Sequence, residues 1–476
     1  LTKKPSKTLA KWRKVNVLAR VRYRHKVLII RRILPFTLPI LIELIGVVFM
    51  GIVSTILVSR ISKDATAAVG ITESITFIVL SLLTAVALGG SVMIAQAFSR
   101  RDRTKSLRGA SHTMHLALAI SIMTSLIMSM FAHPLLTIVA YGAEPAVIVL
   151  AERFLLIVLL SYPALAITLA ASGILRAVGN SRSPATINIV MNLVNISFSY
   201  PLIYGVDALA WPGLNMQGAA LGLTISRWLG AIMIVFSLAR NPSLRMPINT
   251  FIQPFSLLIT REILAIGIPA SIESLMFNIG KLITQVMVAG MGTVAMAGNV
   301  ITFSALLFIN IPGNALATAA TILIGQRLGQ NRSQTAQIEM QLLFWLASIA
   351  LIVLALVCLP FASAIAHLYT DDQAVINVVV NLIFLNALMM PIWAASFVLP
   401  SAFKGGKDVK YSMWVAILSM WGGRIVLGYL FGIHWQMGIY GIWLGMFADW
   451  WIRGLLFLYR MVTQRWLHVF YSHRDR

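Results

Sequence analysis

Apolar runs of about twenty residues or more return along nearly the whole chain, each long enough to cross the roughly 30 Å hydrocarbon core of a bilayer. Within hydrocarbon every backbone donor and acceptor must be satisfied inside the segment, so such runs fold as helices. Reading apolar stretches against polar breaks predicts twelve spans: 33–60, 70–99, 110–133, 146–175, 184–205, 218–239, 263–290, 294–326, 341–368, 373–403, 411–433 and 438–460. Several exceed the minimum length, which leaves room for tilt or a break. With 59% hydrophobic and 11% charged residues, the chain lies far from the composition of soluble domains.

The charges that remain are unevenly placed. With the amino terminus inside, the cytoplasmic connections hold Arg100, Arg101, Arg103, Lys105, Arg108, Arg176, Arg182, Arg240, Arg245, Arg261, Arg327, Arg332, Lys404, Lys407 and Lys410. The opposite connections hold only the bases Arg60 and Lys63, with the acids Asp207, Asp371 and Asp372. This asymmetry sets the orientation, with both termini cytoplasmic and an even number of spans. A net charge of +23 spread over such connections does not suit nucleic-acid binding. Residues 1–32 form a basic cytoplasmic arm, which either touches anionic lipid headgroups or serves only to orient the chain. The following apolar run is too long for a signal peptide and carries an acid, so cleavage is not expected.

Two acids stand at matching places. Pro39-x-x-x-Glu43 and Pro269-x-x-x-Glu273 lie 230 residues apart, residue for residue (39 to 269, 43 to 273). At the same spacing Thr72, Ser74 and Gln96 meet Thr302, Ser304 and Gln326. Later, Tyr162-Pro163 before Arg176 corresponds to Met390-Pro391 before Lys404, at a spacing of 228 (163 to 391). Six spans per repeat make the repeats parallel, related by an axis along the membrane normal. The expected fold is an all-α membrane protein whose twelve helices form two six-helix bundles, 33–239 and 263–461. A cytoplasmic linker (240–262) joins them, and a tail (462–476) follows.

An ionisable group in hydrocarbon is costly and by default marks an ion, proton or substrate path. Glu43 and Glu273 each lie about ten residues, or about 15 Å, into their spans, near the midplane. Burial disfavours the charged carboxylate, so a carboxyl there can take a proton from one side and release it to the other. Lys281 lies two turns beyond Glu273 on roughly the same face. Arg227, Arg424, Asp449 and Arg453 complete the inner charges, with Asp449 and Arg453 paired at i, i+4 and Arg424 sharing the acid. Lys281 and Arg227 either neutralise the glutamates or face a cavity that accepts anions. Asn192, Asn195 and Ser199 line one face of the fifth span, while Asn278, Gln285, Asn299, Asn310 and Asn314 add polar groups to the second half. Together they indicate a hydrated cleft.

Other chemistries find no support. No phosphate-binding Gly-x-x-x-x-Gly-Lys-Ser/Thr loop occurs. No His/Cys cluster offers a metal site, His112 and His115 reading as isolated near a loop, and Cys358 excludes an internal disulfide. An enzyme, a resident metal and a cofactor are not expected.

In order and spacing the chain resembles the multidrug and toxic compound extrusion (MATE) family. The resemblance rests on Pro39, Gly51-Ile-Val-Ser54, Ala67-Ala68-Val69-Gly70, Gln96 before a basic loop, Gly173-Ile-Leu-Arg176-Ala-Val-Gly179-Asn180, Gly218-Ala219-Ala220-Leu221 and Gly267-Ile-Pro269. It implies a monomeric secondary transporter of the bacterial inner membrane. Such a protein exports small amphipathic molecules by alternating access in exchange for protons or sodium ions. Ser54 and Ser199 stand where many members carry Asp, so Glu43 or Glu273 would take over coupling. The chain looks most like a branch associated with flavin nucleotide export, and an anionic cargo would suit Lys281, Arg227 and Arg424. The alternative is a flippase of lipid-linked precursors from the wider superfamily.

Overall fold

The computed structural model of this chain describes residues 7–140, 144–205, 212–244 and 256–474, and these are helical almost throughout. Asp207, linker residues 245–255 (Arg245, Pro247 and Pro254 among them) and the side chains of the basic arm up to residue 25 lie outside that description. Ten helices are long and apolar enough to cross a bilayer, and two bent pairs bring the crossings to twelve among the described residues.

The first half runs α1 (Lys7–Ser59), α2 (Lys63–Ser99), α3 (Arg103–Met130) and the short α4 (Ala132–Val139). A bent crossing of α5 (Pro145–Leu159) and α6 (Tyr162–Ala177) follows, then α7 (Arg182–Tyr204) and α8 (Asn215–Ala239). The second half opens with α9 (Leu257–Ala289) and a bent crossing of α10 (Thr293–Ile309) and α11 (Ile311–Gly329). It continues with α12 (Ser333–Cys358), the short α13 (Ala362–His367), α14 (Gln373–Gly405) and α15 (Val409–Ser419). Wider helical turns over Met420–Leu427 and Leu430–His434 extend α15, and α16 (Gly438–Val462) and α17 (Arg465–Arg474) end the chain.

The bends have a local cause. Pro163 and Pro312 are each the second residue of the helix after the break. Each lacks the N–H that would continue the ladder of the preceding helix. The axes turn by 49° and 51° there. Side chains define the other starts: Ser62 Oγ accepts from the Ala65 N–H, and Asp102 Oδ1 from the Lys105 N–H. The basic arm is no separate unit where described, because α1 continues unbroken through residue 32 and its apolar span begins at Lys26. Glu43 and Glu273 accordingly fall near the middle of their helices.

The bundles meet along α1, α2, α9 and α11, and they pack tightly at the end of the molecule bearing Arg100, Lys105, Arg182 and Lys407, called the basic face below. Glycines permit that approach. A methyl group at Gly89 would lie 2.3 Å from the Ile263 carbonyl oxygen, and one at Gly329 2.5 Å from that of Gln96. Two equivalent glutamines fasten the seam crosswise. Gln96 of the first half donates from Nε2 to the Gly405 carbonyl (2.9 Å), and Gln326 of the second donates to that of Ala177 (2.8 Å). Nearer mid-depth, Ser81 and Ser274 meet across the seam at 3.3 Å. His112 is not isolated as its sequence position implied. It is buried within α3, where Nδ1 meets the Arg108 carbonyl and Nε2 accepts from the Ser256 N–H at 2.7 Å.

Candidate transport site

The duplicated glutamates carry duplicated partners. Arg176, in the last turn of α6, places Nη2 2.6 Å from both carboxylate oxygens of Glu43, and Asn188 Nδ2 donates to Oε1 at 2.7 Å. Lys404, in the last turn of α14, donates from Nζ to Glu273 Oε1 at 2.9 Å. Arg176 and Lys404 are the two bases that the second sequence correspondence aligns. The repeat therefore contains a whole ion pair, not only its acid. Both bases end helices that run toward the basic face, and helical side chains lean toward the helix amino terminus. The cations consequently reach back into the membrane interior.

Glu273 and Lys404 border a cavity of about 410 Å³ within the second bundle. Ser274, Phe277 and Lys281 line it from α9, and Phe303, Asn310 and Asn314 from α10 and α11. Trp393, Phe397 and Ser401 come from α14, and Arg424, Trp450 and Arg453 close the far wall. Trp393 and Phe397 stack with centroids 4.5 Å apart. The Arg453 guanidinium lies 5.3 Å from the Phe397 ring centre, and that of Arg424 lies 5.2 Å from Phe277. Both arginines share Asp449, which accepts from Arg453 Nη2 at 2.7 Å and meets Arg424 Nη2 at 3.1 Å. Asp449 is fully buried, and one carboxylate between two guanidiniums leaves the wall positive. Lys281 has no ion pair among the described residues. Two buried acceptors at this site, Glu273 Oε2 and the Asn310 side-chain oxygen, have no hydrogen-bond partner there either. A carboxylate, two carboxamides, four cations and five aromatic rings together form a wall able to hold a flat, charged molecule.

Other expected residues are placed elsewhere. Lys281 faces the cavity and does not neutralise Glu273. Arg227 does not reach Glu43; its Nη1 donates to Ser161 Oγ at 2.7 Å, in the break between α5 and α6. Ser199 Oγ donates to Asn195 Oδ1 at 2.9 Å, both buried in the first bundle, and Asn192 lies beside them on α7. Arg227, Asn192, Asn195 and Ser199 do not line the second-bundle cavity. Asn278 is exposed and does not line it, and Asn299 accepts from Trp443 Nε1 at 3.0 Å, which ties α10 to α16. The sequence reading missed Lys404 and the aromatic wall. The alignment of Arg176 with Lys404, joined to that of Glu43 with Glu273, was the signal that would have found both pairs.

Comparison with known proteins gives this arrangement a family. The MatE family model matches the chain twice, over residues 39–201 and 269–430, so that each match begins at the proline preceding a paired glutamate. A Bacillus subtilis (strain 168) transporter, YisQ, is 29% identical over 434 residues, covering 90% of this chain and 94% of that one. A Thermotoga maritima protein described as a probable multidrug resistance protein, NorM, is 22% identical, covering 92% and 93%. The solved structure of a MOP superfamily transporter from Pyrococcus furiosus superposes with a TM-score of 0.84 at 19% identity, covering 91% of this chain and 95% of that one. The chain belongs to the MatE family, whose members are membrane transporters and not enzymes.

Proposed function

We propose that this protein is a secondary active efflux transporter. It exports small amphipathic or aromatic compounds, flavin nucleotides among the candidates, in exchange for inward protons or sodium ions. The observation that carries the reading is the repeated glutamate–cation pair, Glu43 with Arg176 and Glu273 with Lys404, the second of which opens onto an aromatic cavity. The membrane is read as the bacterial inner membrane, with the basic face and both termini in the cytoplasm. The transporter acts as a monomer, without resident metal or cofactor.

Mechanistically, the seam on the basic face is closed, so the state described is one of two between which the bundles rock. Protonating Glu273 removes the charge that holds Lys404 and changes the cavity wall, which links proton occupancy to cargo occupancy. Each proton moving inward supplies about 2.3 kcal/mol per 100 mV besides its concentration gradient. That is comparable with a preference of a few kcal/mol between two states. Lys281, Lys404, Arg424 and Arg453 outnumber Glu273 and Asp449, which favours cargo carrying negative charge beside a planar ring system. Flavin nucleotides have both features.

Purified protein in vesicles with imposed proton or sodium gradients tests the proposal, with flavin mononucleotide, a cationic dye and a lipid-linked pyrophosphate as cargo. Glu273→Gln and Glu43→Gln should each lower gradient-driven flux at least about tenfold with near-normal amounts of inserted protein. Full-rate coupled transport by both variants would remove the glutamates from the mechanism, and flux of the lipid alone would replace efflux by flipping.

A further inference from the structure

The duplication creates two equivalent corners at the basic end of the seam, and they are filled differently. In the corner beside α9 and the α14–α15 turn, Glu262 meets Lys407 Nζ at 2.6 Å and Lys105 Nζ at 2.8 Å. Asp408 next to it holds Arg460 at 2.6 Å. The chain thus supplies carboxylates to its own cations. At the repeat spacings, Arg32 takes the place of Glu262 and Asn180 the place of Asp408 in the other corner.

That second corner is a cavity of about 490 Å³, bordered by Arg31 and Arg32 of α1, Asn180 and Arg182 of the α6–α7 turn, and Gln326 of α11. No carboxylate is among its lining residues as far as the described residues go. Arg31 and Arg182 have no ion pair among the described residues. Arg32 donates from Nη2 to Gln326 Oε1 at 2.5 Å, and its Nη1 reaches only the edge of Glu339, at 3.7 Å, where Arg327 holds that acid at 2.6 Å. The Arg32 Nη1 atom is buried without a hydrogen-bond partner among the described residues. Orientation by positive charge accounts for arginines on this face. It does not account for two carboxylates at one corner and neither of them at its twin. Guanidinium groups present planar forks that match phosphate oxygens in pairs, and α7 begins beside the cavity with the end of its dipole that favours anions.

We propose that this corner is a binding site for a phosphate-type anion, from a lipid headgroup or from soluble phosphate, which occupies the place Glu262 and Asp408 fill in the twin. Its walls come from both bundles, so the bound anion joins them at the basic face and stabilises the state in which this end is closed. The inference goes beyond the transport reading and needs neither a particular cargo nor a coupling ion.

The test uses the full chain and follows thermal unfolding. Inorganic phosphate is titrated in detergent at constant ionic strength, and nanodiscs of phosphatidylcholine are compared with nanodiscs containing phosphatidylglycerol. Wild-type protein should gain stability from at least one source, with phosphate alone identifying a soluble ligand and phosphatidylglycerol alone a headgroup. In an Arg31→Gln/Arg182→Gln protein the half-saturating amount should rise about tenfold. Lys410→Gln, an equally exposed change at the twin of Arg182, should leave it unchanged. If the double variant does not fold, Arg182→Gln alone is read for the same loss. The site is overturned if neither source stabilises wild type, if the arginine variants respond like wild type, or if Lys410→Gln loses as much as they do.

Discussion

The ion pair of the first bundle and that of the second come from one ancestral device, yet they have diverged in how completely they are satisfied. Glu43 has Arg176 against both oxygens and Asn188 on one of them, and its side chain is only 9% exposed. Among the described residues Glu273 has one partner, Lys404, on one oxygen, its other oxygen lacks a hydrogen bond, and a cavity adjoins it. A carboxylate bonded through both oxygens has its positions taken, whereas one held on a single side can exchange its partner. Duplication set the two acids in the same place; their neighbours engage both oxygens of one and leave an oxygen of the other open to the cavity.

That contrast can be broken at several points. The largest effect is expected from Arg176→Gln, which strands a buried carboxylate with only Asn188. It should cost about 3–5 kcal/mol, seen as a marked fall in the thermal midpoint of the detergent-solubilised protein. If Lys404→Gln costs as much, the two pairs are not as different as their surroundings imply. Next, Asn188→Ala removes a hydrogen bond to a charged group and should cost about 1.5–3 kcal/mol, with transport kept in the protein that remains folded. The smallest stability effect belongs to Glu273→Gln, where an amide can still occupy the cavity edge. A change within about 1 kcal/mol is expected beside its large loss of coupled flux. A destabilisation rivalling that of Arg176→Gln would make Glu273 a structural residue.

Much of the architecture was open to reading from the chain. Hydrocarbon thickness sets helix length, so the apolar runs marked the crossings, and the Pro-x-x-x-Glu repeat marked the doubling. The i, i+4 pairing of Asp449 with Arg453 followed from helical geometry, and the share expected for Arg424, from another helix, is present beside it. What escaped depends on long side chains and on rotation. Arg176 and Lys404 end their apolar runs and read as loop charges, although the lean of helical side chains carries them inward. The aromatic wall gave no signal, because Phe and Trp are ordinary in spanning helices and periodicity does not say which neighbour a face meets. Asn278 and Asn299 illustrate the same gap, one exposed and the other committed to Trp443. The breaks at Pro163 and Pro312 fell inside runs read as single spans, since Pro391 and Pro400 sit within an unbroken α14.

The crossed glutamines carry one more implication. Each amide grips a carbonyl belonging to the opposite repeat, and the two grips sit at corresponding points, so the join is held from both sides. Parting the halves severs both together. That end of the seam therefore opens only by giving up two hydrogen bonds, one donated from each repeat.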